Sequence, residues 1–195
     1  YFAPSDRFDE KLTLKRSNTH EIVAEECLAI REGVALLDIT GFSRFEVKGE
    51  NSEAWLNQIF ATKLPKPGRA RLGVMLSFSG KLKGDLTLLN WGDGTYWIMG
   101  SYYLRAWHLR WFNEQLKDGV SIKDLGDEIC GFALIGPNSH SVLEKVAEED
   151  VSNLRFMDCK RLDIGLVRSN VARMSVTGET GFEINCKMGD HVALR

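Results

Sequence analysis

The chain has 195 residues, 44% hydrophobic and 27% charged, with a formal net charge of −2. This mix supports a folded chain with a sizeable core and argues against disorder. The near-neutral balance supplies no basic field for nucleic acid or an anionic membrane, and no apolar run is long enough to predict a spanning helix.

The chain opens on Tyr1 without a methionine and stops at Arg195, just after a predicted helix start. Both ends are therefore expected to lie inside a longer protein. Residues 1–17 are polar and mixed in charge and read as an irregular lead-in. Asn18 and Glu21 have capping-box spacing. Val23, Cys27, Ile30 and Val34 then recur at helical intervals, with Gly33 as a stop. Phe45 and Val47 alternate with Arg44, Glu46 and Lys48, which predicts a half-buried strand, and a short helix follows around Trp55, Leu56, Ile59 and Phe60.

After the break at Pro65, Pro67 and Gly68, strands are predicted at 70–78 and 82–89, joined by Ser79 and Gly80. Another is predicted at 95–99. Leu104, Trp107 and Trp111 then mark an amphipathic helix with both tryptophans in the core, and 120–125 suits one more strand. From 42 to 125 the order is β-α-β-β-β-α-β, a ferredoxin-like α+β pattern with an extra hairpin strand. Beyond it come a strand at 132–135, a helix carrying Val142, Leu143 and Val146, strands at 162–167 and 171–176, a turn at 177–181 and a strand at 182–186.

The four cysteines (Cys27, Cys130, Cys159, Cys186) are widely spaced without a CxxC pair, so buried thiols in a reducing compartment are expected rather than a metal or disulfide framework. His20, His108, His140 and His191 lack metal-ligand spacing, and no metal site is predicted. No flavin, nicotinamide or ATP fingerprint is present.

Two stretches carry candidate chemistry. On the strand at 82–89, the period of two puts Leu82, Leu86 and Leu88 on one face and Lys83, Asp85, Thr87 and Leu89 on the other, with Gly84 open to close approach. An aspartate on a rigid strand suits a ligand site, and the same pattern suits a solvated sheet face. In the second stretch, Gly178 and Gly181 permit a tight turn and Glu183 stands between the apolar Phe182 and Ile184. A carboxylate there can accept two parallel N–H bonds from an aminopyrimidine edge. A hairpin with a surface glutamate is the alternative.

Four motifs in register resemble the aminomethyltransferase, or glycine-cleavage T-protein, folate-binding family. They are ECLAIREGVALLDITG at 26–41, LSFSGKLKGDLT at 76–87, ALIGP at 133–137 and TGETGFEI at 177–184. The opening YFAP resembles the junction before the folate part of dimethylglycine and sarcosine dehydrogenases.

The resemblance implies an α+β, T-protein-like fold. A ferredoxin-like domain at 45–127 would be inserted in a discontinuous domain of 1–44 plus 128–195, and the family's C-terminal barrel domain would be absent. It implies tetrahydrofolate as cofactor and capture of the methyl-derived carbon of an oxidised N-methyl amine as 5,10-methylenetetrahydrofolate. Asp85 would be catalytic, and Thr87, Gly181, Phe182 and Glu183 would bind folate.

FAD would be present only if a flavin domain precedes Tyr1. The partners would be folate and a flavin dehydrogenase domain in cis or in trans, and the compartment the cytoplasm of a bacterium or the mitochondrial matrix of a eukaryote. Two uses of the same fold are alternatives: a folate-binding protein supporting iron–sulfur enzymes, whose KGCYxGQE motif is missing here, and an S-methyl transferase to folate. Val176 stands where the family has a tyrosine, and Leu72 where it commonly has an aromatic residue.

Overall fold

The structure, a computed structural model, describes Ser5 and residues 8–195; the YFAP lead-in lies outside the described residues. In chain order the elements are α1 (His20–Glu32), β1 (Ala35–Asp38), β2 (Ser43–Lys48), α2 (Ser52–Ile59), β3 (Arg69–Leu76), β4 (Leu82–Asn90), β5 (Tyr96–Gly100), α3 (Arg105–Glu114) and β6 (Ser121–Asp124). They continue with β7 (Ile129–Ile135), α4 (Ser139–Val146), β8 (Cys159–Ile164), β9 (Val167–Ala172), β10 (Gly181–Lys187) and α5 (His191–Leu194).

The strands form two five-stranded sheets, ordered β1-β7-β10-β9-β8 and β3-β4-β5-β2-β6. Neither closes into a barrel, and the β-α-β-β-β-α-β order predicted for 42–125 is the one observed. Three apolar clusters set the layers. Trp55, Leu56 and Ile59 of α2 and Phe112 of α3 pack on Phe45, Val47, Leu86, Leu88 and Ile98 of the second sheet. Leu143 of α4 packs on Leu134, Phe182 and Ile184 of the first. Between the sheets lie Ala70, Leu89, Trp97 and Met99 from one side and Cys159 and Ala172 from the other. The result is helices, sheet, sheet and helix, with the sheets stacked face to face.

Several local expectations are corrected. Thr19, not Asn18, is the N-cap of α1. The Asn18 side chain bonds the lead-in instead, accepting from Lys11 N–H and donating to the Asp9 carbonyl. No residue of α1 is fully buried, and Cys27 is exposed rather than a core thiol. The helix ends at Gly33, whose N–H bonds the Ala29 carbonyl. The β8–β9 hairpin also sits earlier than predicted. Gly165, at φ 53°, takes the turn, so β9 starts at Val167 and Val176 falls in a loop.

Helix α3 buries a different face from the one expected. His108 and Phe112 are its buried residues, while Trp107 and Trp111 flank the core half-buried. Lys83 Nζ lies 4.5 Å from the Trp107 ring and 3.9 Å from the Trp111 ring. The large amphipathic indoles occupy the rim, where one side can meet a cation, and the smaller rings enter the interior.

Candidate functional site

The hairpin of β3 and β4 carries a β-bulge. Met75 pairs with Gly84 and Leu76 with Leu82, so Lys83 has no partner. A bulge sends consecutive side chains toward one face, and Lys83 accordingly turns to the tryptophans of α3. The strict two-residue alternation expected along β4 therefore holds only from Gly84 onward. Gly84 is open not to a ligand but to the His108 ring: a Cβ there would stand 2.8 Å from Nε2. Among the described residues, neither ring nitrogen of His108 makes a hydrogen bond of good geometry, the Lys83 backbone being its near polar neighbour. Burial lowers its pKa, against the upward pull of the Lys83 backbone and the Asp85 charge.

Past the bulge, Asp85 and Thr87 lie on the outer face of their sheet, the face that meets the other sheet farther along. Asp85 is exposed, opposite Val74. Thr87 is half-buried between Leu72 and Met99, and Met99 pairs in turn with Arg44. Cross-strand partners share a face, so Leu72, Thr87, Met99 and Arg44 form one row running from solvent into the interface. Leu72, at the departure from the family pattern, is 64% exposed.

Arg44 is 0% exposed. Its Nε donates to Asn185 Oδ1 at 2.7 Å. Nη1 donates to the carbonyls of Thr40 at 3.1 Å and Phe42 at 2.7 Å, and Nη2 to that of Ile39 at 2.9 Å. Burial draws its pKa down to about 10, against the upward pull of Glu183, Cys130 and Asp38, so it is charged at neutral pH. Gly131 makes the space: a Cβ would overlap Arg44 Nη2 and stand 2.8 Å from Asn185 Oδ1. Gly131→Ala is expected to cost about 1–3 kcal/mol, the usual range for overpacking, read as a lower urea midpoint. An unchanged midpoint would mean that the guanidinium moves aside freely.

Glu183 projects from the same face of β10 as Asn185, into the space between the sheets, and is 6% exposed. Its cross-strand neighbours are two small residues, Ala133 and Ala172. Burial raises its pKa, and the Arg44 charge pulls it back. A folded-state pKa above the unfolded one gives a contribution that is present at low pH and lost as pH rises through the folded value. Stability should therefore decline from about pH 4.5, the ordinary value, through the raised one. Glu183→Gln should remove that decline and leave the protein at least as stable at neutral pH. Urea unfolding across this range checks it, and a less stable Gln variant at neutral pH would overturn it.

Gly181 and Phe182 stand differently. The Phe182 side chain enters the core on the opposite face of β10, against Leu143 and Ile184. Gly181 packs tightly on β7, where a Cβ would meet the Leu134 carbonyl at 3.0 Å. Pairing of β9 with β10 ends at Ala172 and Glu183, so on that edge the backbone of Gly181 and Phe182 is not paired with β9. Clefts of about 310 Å³ (Phe156, Arg173 to Ser175, Gly178 to Gly181) and about 390 Å³ (Asp38 to Phe42 without Thr40, Ser101 to Tyr103) lie nearby. Neither is lined by Asp85, Thr87 or Glu183. The fold thus links Thr87 to Glu183 through Met99 and Arg44, with Asp85 two residues farther out. Met99, Arg44 and Asn185 were missed from the sequence. The one available signal was the placement of Arg44 on the polar face of its strand.

The GCVT N-terminal domain family matches residues 1–194. The chain is 29% identical over its whole length to mitochondrial dimethylglycine dehydrogenase of Homo sapiens, spanning 23% of that protein. It is 31% identical over 88% of its length to an aminomethyltransferase of Geobacillus sp. (strain WCH70), spanning 48% of it. It therefore covers about a quarter to a half of these relatives. Among solved structures, the glycine cleavage system aminomethyltransferase T of Bartonella henselae matches 88% of the chain and 47% of its own at 22% identity, with a TM-score of 0.79. A heterotetrameric sarcosine oxidase from Corynebacterium sp. U-96 matches 92% of the chain and 90% of its own at 17% identity, with a TM-score of 0.65. At those identities the structures speak for the fold alone, and it is the T-protein fold. With the family matched along almost the whole chain, this protein belongs to the GCVT N-terminal domain family.

Proposed function

We propose that the chain is the tetrahydrofolate-binding part of a one-carbon transferase that captures the methyl-derived carbon of an oxidised N-methyl amine, of dimethylglycine or sarcosine type, as 5,10-methylenetetrahydrofolate. One observation carries this reading. Among the described residues, Glu183 is a buried carboxylate without a hydrogen-bonded side-chain partner, beside two alanines, on the face of β10 that Asn185, Arg44 and Met99 link to Thr87. Such a group fits an aminopyrimidine edge, whose two N–H donors match two carboxylate oxygens. Similarity over the full chain to a dimethylglycine dehydrogenase supports the amine side of the reading.

In this reading Glu183 holds the pterin edge, and Gly181 and Phe182 contribute backbone groups beside it. Thr87 lines the path toward Asp85, whose exposed carboxylate stabilises positive charge at the reacting folate nitrogen and guides its proton. The folate nitrogens supply the nucleophile. Amine oxidation belongs to a flavin-bearing part in cis or in trans, and no residue described here is assigned to it. We take 45–127 and 1–44 plus 128–195 as the two domains; strand membership in the two sheets supports this division, except that the first two residues of β2, Ser43 and Arg44, pair in the second sheet.

Glu183→Gln tests the binding assignment. Loss of a charge-assisted pair should weaken tetrahydrofolate by about tenfold or more, measured by equilibrium titration of the full-length protein. Equal affinity in the two proteins would remove Glu183 from the site, and no binding by either would remove the folate reading itself.

A further inference from the structure

Arg44 has no place in the chemistry proposed above, yet the fold commits considerable structure to it. It crosses from one sheet into the other through the gap left by Gly131. Four hydrogen bonds, to three carbonyls of the β1–β2 loop and to Asn185, hold its guanidinium in one place. A buried cation normally needs a hydrogen-bonded anion. Here the neutral oxygens orient it; Glu183 lies buried on the same face of β10, two residues from the Asn185 that Arg44 bonds, and feels its charge without a hydrogen bond between them.

That arrangement has a chemical use. A direct Arg–Glu pair would occupy the carboxylate oxygens that a ligand needs. With no countercharge at all, burial would favour the neutral acid, which presents one acceptor too few to a two-donor edge. A cation fixed nearby but bonded elsewhere avoids both outcomes. We propose that Arg44 is a positioning residue, which holds the Glu183 carboxylate charged and unbridged so that both oxygens stay open to the N–H edge of a heterocyclic ligand.

The surroundings of Glu183 leave Arg44 as the group responsible. The strands beside it present Ala133 and Ala172, and its own strand presents Asn185, none of which titrates. Arg44 from β2 is the charged group acting on it, while Asp38 and Cys130 act on Arg44. The ligand named here rests on the folate reading, whereas the relation between the two side chains does not.

The test uses the full-length protein, tetrahydrofolate and the variants Arg44→Met and Arg44→Lys. In Arg44→Met the Glu183 carboxyl, followed by carbon NMR without folate, should titrate at higher pH. Folate affinity should fall about tenfold or more at neutral pH and recover at higher pH, with the midpoint of its pH profile raised by about one unit or more. Arg44→Lys keeps the charge, and its profile should stay near that of the unsubstituted protein. A uniform loss of affinity at every pH, or an unmoved carboxyl titration in Arg44→Met, would show a merely structural role and overturn the proposal. Should Arg44→Met not fold, Arg44→Lys decides: a displacement of the Glu183 titration by a full unit there would rule out charge as the agent. If the unsubstituted protein fails to bind tetrahydrofolate, the folate reading falls, and the carboxyl titrations still decide the role of Arg44.

Discussion

Asp85→Asn should slow capture of the one-carbon unit in the full-length protein by about 10²-fold or more, a typical loss for a positioned electrostatic or proton-transferring group. The substitution keeps the shape of the side chain and removes its charge. Local structure should survive it, because Asp85 is exposed, opposite Val74, on a strand anchored by the buried Leu86 and Leu88. Amine oxidation should continue, since that chemistry is assigned elsewhere. The uncaptured carbon would then leave as formaldehyde by hydrolysis. Flavin reduction rate and the ratio of formaldehyde to methylenetetrahydrofolate at saturating folate measure the two steps separately. A product ratio unchanged from the parent enzyme would remove Asp85 from the mechanism. Combined with Glu183→Gln, the variant also separates roles: the aspartate should act on the rate of capture and the glutamate on folate affinity.

The largest expected loss of stability lies on the other side of the same sheet. Phe112→Ala should cost about 3–5 kcal/mol, the usual range for deleting a buried aromatic ring. Phe112 is fully buried and meets Phe45 edge-on at 5.4 Å and Trp55 at 6.0 Å between ring centroids. Trp111→Ala should cost only about 1–2 kcal/mol, since it gives up rim packing and one cation–π contact with Lys83. Chemical denaturation of the two variants checks the ordering, and a larger loss for Trp111 would put the core of α3 on the wrong face.

That pair of residues shows where local pattern reading runs out. Residues 107, 108, 111 and 112 all fall on one broad side of a helix, and periodicity alone cannot say which of them lies at its centre. The neighbouring sheet decides: the space above Gly84 admits the ring of His108, and the indoles remain outside. The bulge at Lys83 is a second case. Nothing in the chemistry of residues 82–85 announces that Leu76 will pair with Leu82 while Met75 pairs with Gly84, because register belongs to the pair of strands.

The sequence by itself determined the order of the elements except β1, which went unpredicted between the first helix and β2, together with the α+β class and the family. Those depend on alternation along single strands, on glycine and proline at chain breaks and on motifs contiguous in the chain. It also marked Asp85 and Glu183, since a carboxylate among strand formers is a local anomaly, while Thr87, Gly181 and Phe182 became candidates only through the resemblance to the family. Only the tertiary structure decided how these stand to one another. Phe182 and Glu183 are adjacent in the chain and separate across a sheet, one into the core and the other into the gap between sheets. Arg44 and Glu183 are 139 positions apart and share one electrostatic environment. An arginine alternating with core residues reads as solvated until a second sheet covers it, and that covering is a long-range event with no signal in the strand that it buries.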